Sequence, residues 1–234
     1  MTLATYSRMT FRPDLQGLRA LAVSLVVLAH ADVPGFSGGF IGVDVFFVLS
    51  GYLISAMLVA EHAHGGRIAM LRFYARRLHR LLPALLAMMA LTTAAAAWLL
   101  SREEAQTMLA STPFAASWTS NLFFALRTLD YFDELGTRDL FLHTWSLGVE
   151  EFYLIWPPLL AAILWLSTRG VRTLTSMATL TLVGTLACVL WTHLAPIQAF
   201  YQMPARIWQF ALGATIYFAF DRGIVRLNRT VSML

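Results

Sequence analysis

Twenty consecutive residues without a charge, Leu81 to Leu100, constrain this chain more than any other feature. A helix needs roughly 20 apolar residues to cross a bilayer, and a water-soluble domain has no place for such a run. The rest of the sequence agrees. Only 13% of its 234 residues are charged and 58% are hydrophobic, against about 25% charged in soluble domains. Lipid is therefore the expected solvent, and a soluble or nucleic-acid-binding protein is excluded. The 17 basic residues against 13 acidic ones lie scattered between apolar runs, as membrane loops require. Cys188 is the single cysteine, so neither an intramolecular disulfide nor a multi-cysteine metal site can form.

Further spans follow by the same criterion. Phe40 to Ala60 holds one charge, Asp44. Leu174 to Leu194 is a clear span, Ser146 to Leu166 carries Glu150 and Glu151 in its first turns, and Ala205 to Phe220 is shorter. The first segment has two readings. Ala20 to Ala31, preceded by Arg8, Arg12 and Arg19, fits a signal peptide with Ala29-His30-Ala31 as its cleavage site. Leu15 to Val33 fits a full span, and apolar sequence resumes at Phe40. Ala105 to Leu126 contains Ser, Thr, Asn and Pro and reads as interfacial or re-entrant. The expected fold is an all-α polytopic transmembrane helix bundle, about six spans plus that one partial segment, in a single domain over residues 1–234.

Charges orient the bundle. The Glu61 to Arg80 loop carries Arg67, Arg72, Arg76, Arg77 and Arg80 against one acid, which places it in the cytoplasm with the N-terminus. The acid-rich stretch Arg127 to His143 suits the outer side, and Arg169, Arg172, Arg222, Arg226 and Arg229 suit the inner side. The protein is expected in the inner (plasma) membrane, multi-pass.

Ionisable groups inside a membrane mark functional sites by default. Arg19 and His30 are eleven residues apart, so they share one helix face about 16 Å apart along the axis. The plainer reading makes Arg19 a snorkelling anchor and His30 an interfacial residue. Asp32 can orient or charge His30 only if the helix unwinds there. Asp44 requires a partner or water: a buried pair with an arginine, or a direct role. Gly42, Ser50 and Gly51 suit close helix packing. Arg72, Arg76 and Arg80 form a stripe at i, i+4 and i+8 that suits phosphates, or is an ordinary positive-inside loop. His143 and Trp145 sit at the outer interface, where a glycan can be gripped, and Glu150 with Glu151 begins a helix whose dipole favours anions.

Together these segments resemble the membrane acyltransferase 3 family. The pieces are Phe11-Arg12-Pro13-Asp14-Leu15-Gln16-Gly17-Leu18-Arg19 running on to His30, Gly38 to Ile54, Arg72 to Pro83, Thr144 to Pro157, and Tyr201 to Gly213 with Pro204 and Arg206. The resemblance implies an integral membrane O-acyltransferase that takes an acyl group, usually acetyl from acetyl-CoA, from the cytoplasmic side to a glycan hydroxyl outside. It implies Arg76, Arg77 and Arg80 as donor-binding residues. His30 becomes the general base or transient acyl acceptor, with Arg19 lining the same path. Asp32 and Glu150 are further catalytic candidates; Asp44, Trp145 and Arg206 are candidates for acceptor binding. Partners are then the bilayer, acyl-CoA and a glycan, with no metal and no nucleic acid. Family members usually have about ten spans, so residues 1–234 correspond to the N-terminal part of that domain, which leaves an inactive fragment as one alternative. A proton-coupled transporter or flippase-like protein is the other; intramembrane charges fit it equally, but it has no need of the basic Arg72 to Arg80 stripe.

Overall fold

The computed structural model describes residues 12–65, 68–127, 131, 139–149, 152–167 and 172–221. Among these every regular element is helical. Backbone polar groups have no water to bond to in lipid, and a helix satisfies them within itself. The elements are α1 (Pro13–His30), α2 (Ile41–Gly65), α3 (Met70–Leu99), α4 (Arg102–Met108), α5 (Thr112–Ala116), α6 (Ser120–Leu126), a 3₁₀ turn at Leu142–Thr144, α7 (Trp145–Val149), α8 (Phe152–Ser167), α9 (Thr173–Leu194), α10 (Pro196–Tyr201) and α11 (Met203–Asp221).

Four stretches are long and apolar enough to cross a membrane: Ile41–Ala63, Met70–Leu99, Leu142–Ser167 and Thr173–Leu194. The other two expected spans are helices too, α1 of 18 residues and α11 of 19. Asp14, Gln16 and Arg19 in one half of α1, and Arg206 and Gln209 in α11, dilute their apolar character. The segment expected not to cross is broken into α4, α5 and α6, none longer than seven residues. Ser101 starts this break with a capping box. Its hydroxyl accepts from the Glu104 N–H, and the Glu104 carboxylate accepts from the Ser101 N–H.

Burial is inverted relative to a soluble bundle. On α3 and α9 only 17% of the apolar window is covered, and Leu91, Trp98, Leu190 and Leu194 point outward. Such exposed apolar faces are what membrane-spanning helices present. The interior is aromatic: Phe73, Phe124, Trp156, Tyr201 and Phe210 are fully buried. α2 is the central post, with α1 on one side and α11 on the other, and α11 also packs along α9. Small residues make these contacts close. A methyl on Gly51 would collide with the Phe210 carbonyl, and one on Gly213 with the Val48 carbonyl. Gly42 meets the Ala22 carbonyl of α1 in the same way. The sequence suggested packing for Gly42 and Gly51, and the structure supplies their partners.

Candidate functional site

α1 ties together two polar regions, one at each end. At the first end a cavity of about 810 Å³ opens between α1, α2, α3 and α7. Its polar rim is Gln16, Arg19, Arg76, Arg77 and Arg80. Its walls are apolar, among them Val23, Val27, Phe46, Leu53 and Met57. Arg19, Val23, Val26 and Val27 recur at helical spacing, so one face of α1 lines the cavity from Arg19 toward His30.

The four arginines are held differently. Arg76 pairs with Glu61 at 3.6 Å, and Arg77 lies over the Phe73 ring at 5.9 Å. Arg19 and Arg80 form no hydrogen bond or ion pair with the described residues. The stripe of Arg72, Arg76 and Arg80 expected from the sequence is cut at one end. Arg72 is exposed and outside the cavity lining, while Arg77, one residue on from Arg76, is part of it.

At the other end stands His30, the last residue of α1. Its Nδ1 is 2.8 Å from the Val26 carbonyl and its Nε2 is 2.9 Å from the Tyr131 hydroxyl. A carbonyl only accepts, so Nδ1 carries a proton. In the tautomer that leaves Nε2 unprotonated, the Tyr131 hydroxyl donates to it. Burial pushes the Tyr131 phenol up.

Around this pair lies an aromatic cluster. Tyr131 is 5.1 Å from Phe200 and 5.9 Å from Trp145, and Trp145 is 4.6 Å from Phe200. The Arg206 guanidinium sits over both Trp145 (5.6 Å) and Phe200 (5.0 Å). It donates to Asp44 Oδ1 at 2.8 Å and to the Phe200 carbonyl at 3.0 Å, and the Gln209 amide donates to the same Asp44 oxygen at 2.7 Å. His143 is exposed and lies in the neighbourhood of His30 and Asp139. Asp139 accepts from the Ser111 hydroxyl and from the Phe141 N–H. Burial raises its carboxyl while those bonds hold it down.

Residues 12–234 match the family model described as an acyltransferase domain. The chain belongs to the acyltransferase 3 family. Similar proteins bear this out. The chain is 39% identical over 207 residues to a Komagataeibacter xylinus protein provisionally named membrane-bound transacylase BcsY. It is 32% identical over 225 residues to one from Bacillus subtilis provisionally named peptidoglycan O-acetyltransferase YrhL, and 36% identical over 160 residues to a Staphylococcus aureus protein provisionally named O-acetyltransferase. The matched regions cover 88%, 95% and 68% of this chain but only 51%, 35% and 26% of those relatives. The chain therefore spans about half the length of the first and less of the others. No solved structure matches it.

Seen as a member of that family, the chain gathers its sequence-derived candidates into two groups. Arg19, Arg76, Arg77 and Arg80 share the cavity. His30, Trp145, Arg206 and Asp44 share the aromatic cluster. For Asp44 the arginine-pair reading is the one that the geometry matches. Asp32 needs correction. The helix does end before it, and its backbone is left-handed at φ 50°. Its side chain nevertheless makes no hydrogen bond with the described residues, and both His30 nitrogens are already taken. Tyr131 fills the place offered to Asp32. Glu150 lies outside the described residues. Among the described residues no group of three His, Cys, Asp or Glu could hold a metal ion. Tyr131, Phe200 and Gln209 were missed in the sequence. Tyr131 stands in an acid-rich stretch read only for topology, and only the fold brings it within reach of His30, 101 residues away.

Proposed function

We propose that this chain carries the acyl-donor site and the catalytic histidine of a membrane O-acyltransferase, which moves an acyl group from acyl-CoA across the bilayer to a glycan hydroxyl. The observation that supports this most is the cavity. Its arginines gather at one end, its walls are apolar, and it follows α1 from Arg19 toward His30. CoA is polyanionic at one end and carries its thioester at the tip of a slender arm. Arginines hold phosphates through charge-assisted bonds, and an apolar channel suits the arm and the acyl group. With Arg76, Arg77 and Arg80 on the donor phosphates, the thioester lies up the channel toward His30.

In the tautomer with Nδ1 protonated, Nε2 of His30 offers the lone pair that the chemistry needs once the acceptor hydroxyl takes the place of Tyr131 beside it. It takes the proton of the acceptor hydroxyl as that oxygen attacks the thioester carbonyl. The C–S bond breaks, CoA leaves as thiolate and regains the proton, and the products are an acyl ester and free CoA. The same lone pair allows a transient acyl-imidazole. Positive charge in the arginine loops supports a donor end in the cytoplasm, with the N-terminus, and His30 toward the outer face of the inner membrane. Acetyl is the expected acyl group, because relatives carry O-acetyltransferase in their names.

The test supplies acetyl-labelled acetyl-CoA to membranes that hold the chain, or His30→Ala at equal abundance, and follows label into the glycan fraction. Label that appears with the chain and vanishes with His30→Ala is the expected result. Normal transfer by His30→Ala would remove the histidine from the chemistry. Absence of transfer by the unaltered chain, well inserted, would contradict the activity.

A further inference from the structure

We propose that Asp44 and Arg206 are positioning residues, which clamp the aromatic platform of Trp145, Phe200 and Tyr131 and thereby fix Nε2 of His30. This deepens the acyl-transfer reading and rests on His30 being its reactive group. Neither Asp44 nor Arg206 is among the residues that line the donor cavity. The guanidinium is only 13% exposed and has three kinds of contact. Its edge bonds Asp44 Oδ1 and the Phe200 carbonyl. Its face lies over Trp145 and Phe200. Phe200 and Trp145 in turn both lie against the Tyr131 ring, whose hydroxyl reaches His30.

A half-buried ion pair such as this one, whose Asp44 side chain is 32% exposed, is a weak stabiliser, because desolvation offsets its attraction. Its geometry, however, is well specified. Asp44 takes a second bond from Gln209, one turn after Arg206 on α11, so the carboxylate reads the helix register as well as the charge. The pair spans α2 and α11, whose close approach depends on Gly51 and Gly213. Arginine also differs from lysine at such a place: only a planar guanidinium can stack on two rings while its edge bonds a carboxylate and a carbonyl.

The experiment reads His30 directly, without needing transfer. The purified chain in nanodiscs is treated with diethylpyrocarbonate, which acylates an unprotonated imidazole nitrogen, and His30 carbethoxylation is followed by peptide mass spectrometry against exposed His193. In the unaltered chain Tyr131 shields Nε2. Asp44→Asn and Arg206→Lys are each expected to raise the His30 rate about fivefold, the equivalent of one ordinary hydrogen bond, with His193 unchanged and melting retained. Arg206→Lys is the sharper variant, since it keeps the charge opposite Asp44 and removes the flat face. Phe200→Leu, which leaves the ion pair in place, is expected to do the same. Folded variants with an unchanged His30 rate would overturn the proposal. Collapse of the fold in all three would overturn it as well, because the pair and its platform would then be holding the bundle and not a site. If the His30 rate responds while the unaltered chain transfers no acyl group, the platform stands and the transfer reading falls.

Discussion

The two ends of α1 are built on opposite plans. At Arg19 the chain gathers four cations around an open, apolar-walled cavity, and Glu61 is the one acid bonded to them among the described residues. At His30 the bonding is closed. Both ring nitrogens are engaged, with the Val26 carbonyl and the Tyr131 hydroxyl, and Asp44 answers Arg206. Concentrated positive charge beside a low-dielectric wall attracts an anion from outside, whereas a closed hydrogen-bond chain fixes a reactive group before its substrate arrives. The first arrangement suits capture and the second suits chemistry. One helix holds them about 16 Å apart, eleven residues at 1.5 Å each.

The contrast can be broken by exchanging its consequences. Arg77→Ala combined with Arg80→Ala should act on capture alone, raising KM for acyl-CoA at least about tenfold with little change in kcat. Each charge-assisted bond contributes roughly 1.5–3 kcal/mol, discounted here because Arg80 is exposed. Steady-state kinetics over a range of acyl-CoA concentrations separate the two constants, and a fall in kcat with KM unchanged would blur the distinction between the ends. A smaller effect is expected at the other end. Tyr131→Phe removes one hydroxyl and keeps the ring packing on Phe200. It should lower kcat about fivefold, in line with one lost hydrogen bond, and leave KM for the donor alone. An unchanged kcat would make Tyr131 a packing residue.

Much of the fold was readable in advance because lipid imposes a simple rule. Uncharged runs of span length had to become helices, and Leu81 to Leu100 lies almost wholly within α3. The polar Ala105 to Leu126 segment broke up as its Ser, Thr and Pro content suggested. The donor side of the site was legible for a related reason: Arg76, Arg77 and Arg80 are neighbours on one helix, and Arg19 shares a face with the valines below His30. The other side was not. His30 and Tyr131 are 101 residues apart and Asp44 and Arg206 are 162 apart, so no local period links them. Asp32 was a candidate partner because it was close in sequence, but His30 meets Tyr131 instead. Aromatic platforms are hard to foresee in a chain where 13% of residues are aromatic; which rings meet is decided by how the short helices α6, α7 and α10 pack together.

The central claim is that the cavity between the arginines and His30 receives the acyl donor, and cysteine protection tests it most directly. Cys188 is the single native cysteine, so a Cys188→Ser background is free of thiols. Ser50→Cys then sets one thiol in the cavity wall, and its rate of maleimide labelling is measured with and without CoA. Labelling that slows severalfold with CoA, and recovers when Arg77→Ala and Arg80→Ala are added, is the result expected. Labelling unchanged at saturating CoA would contradict the account.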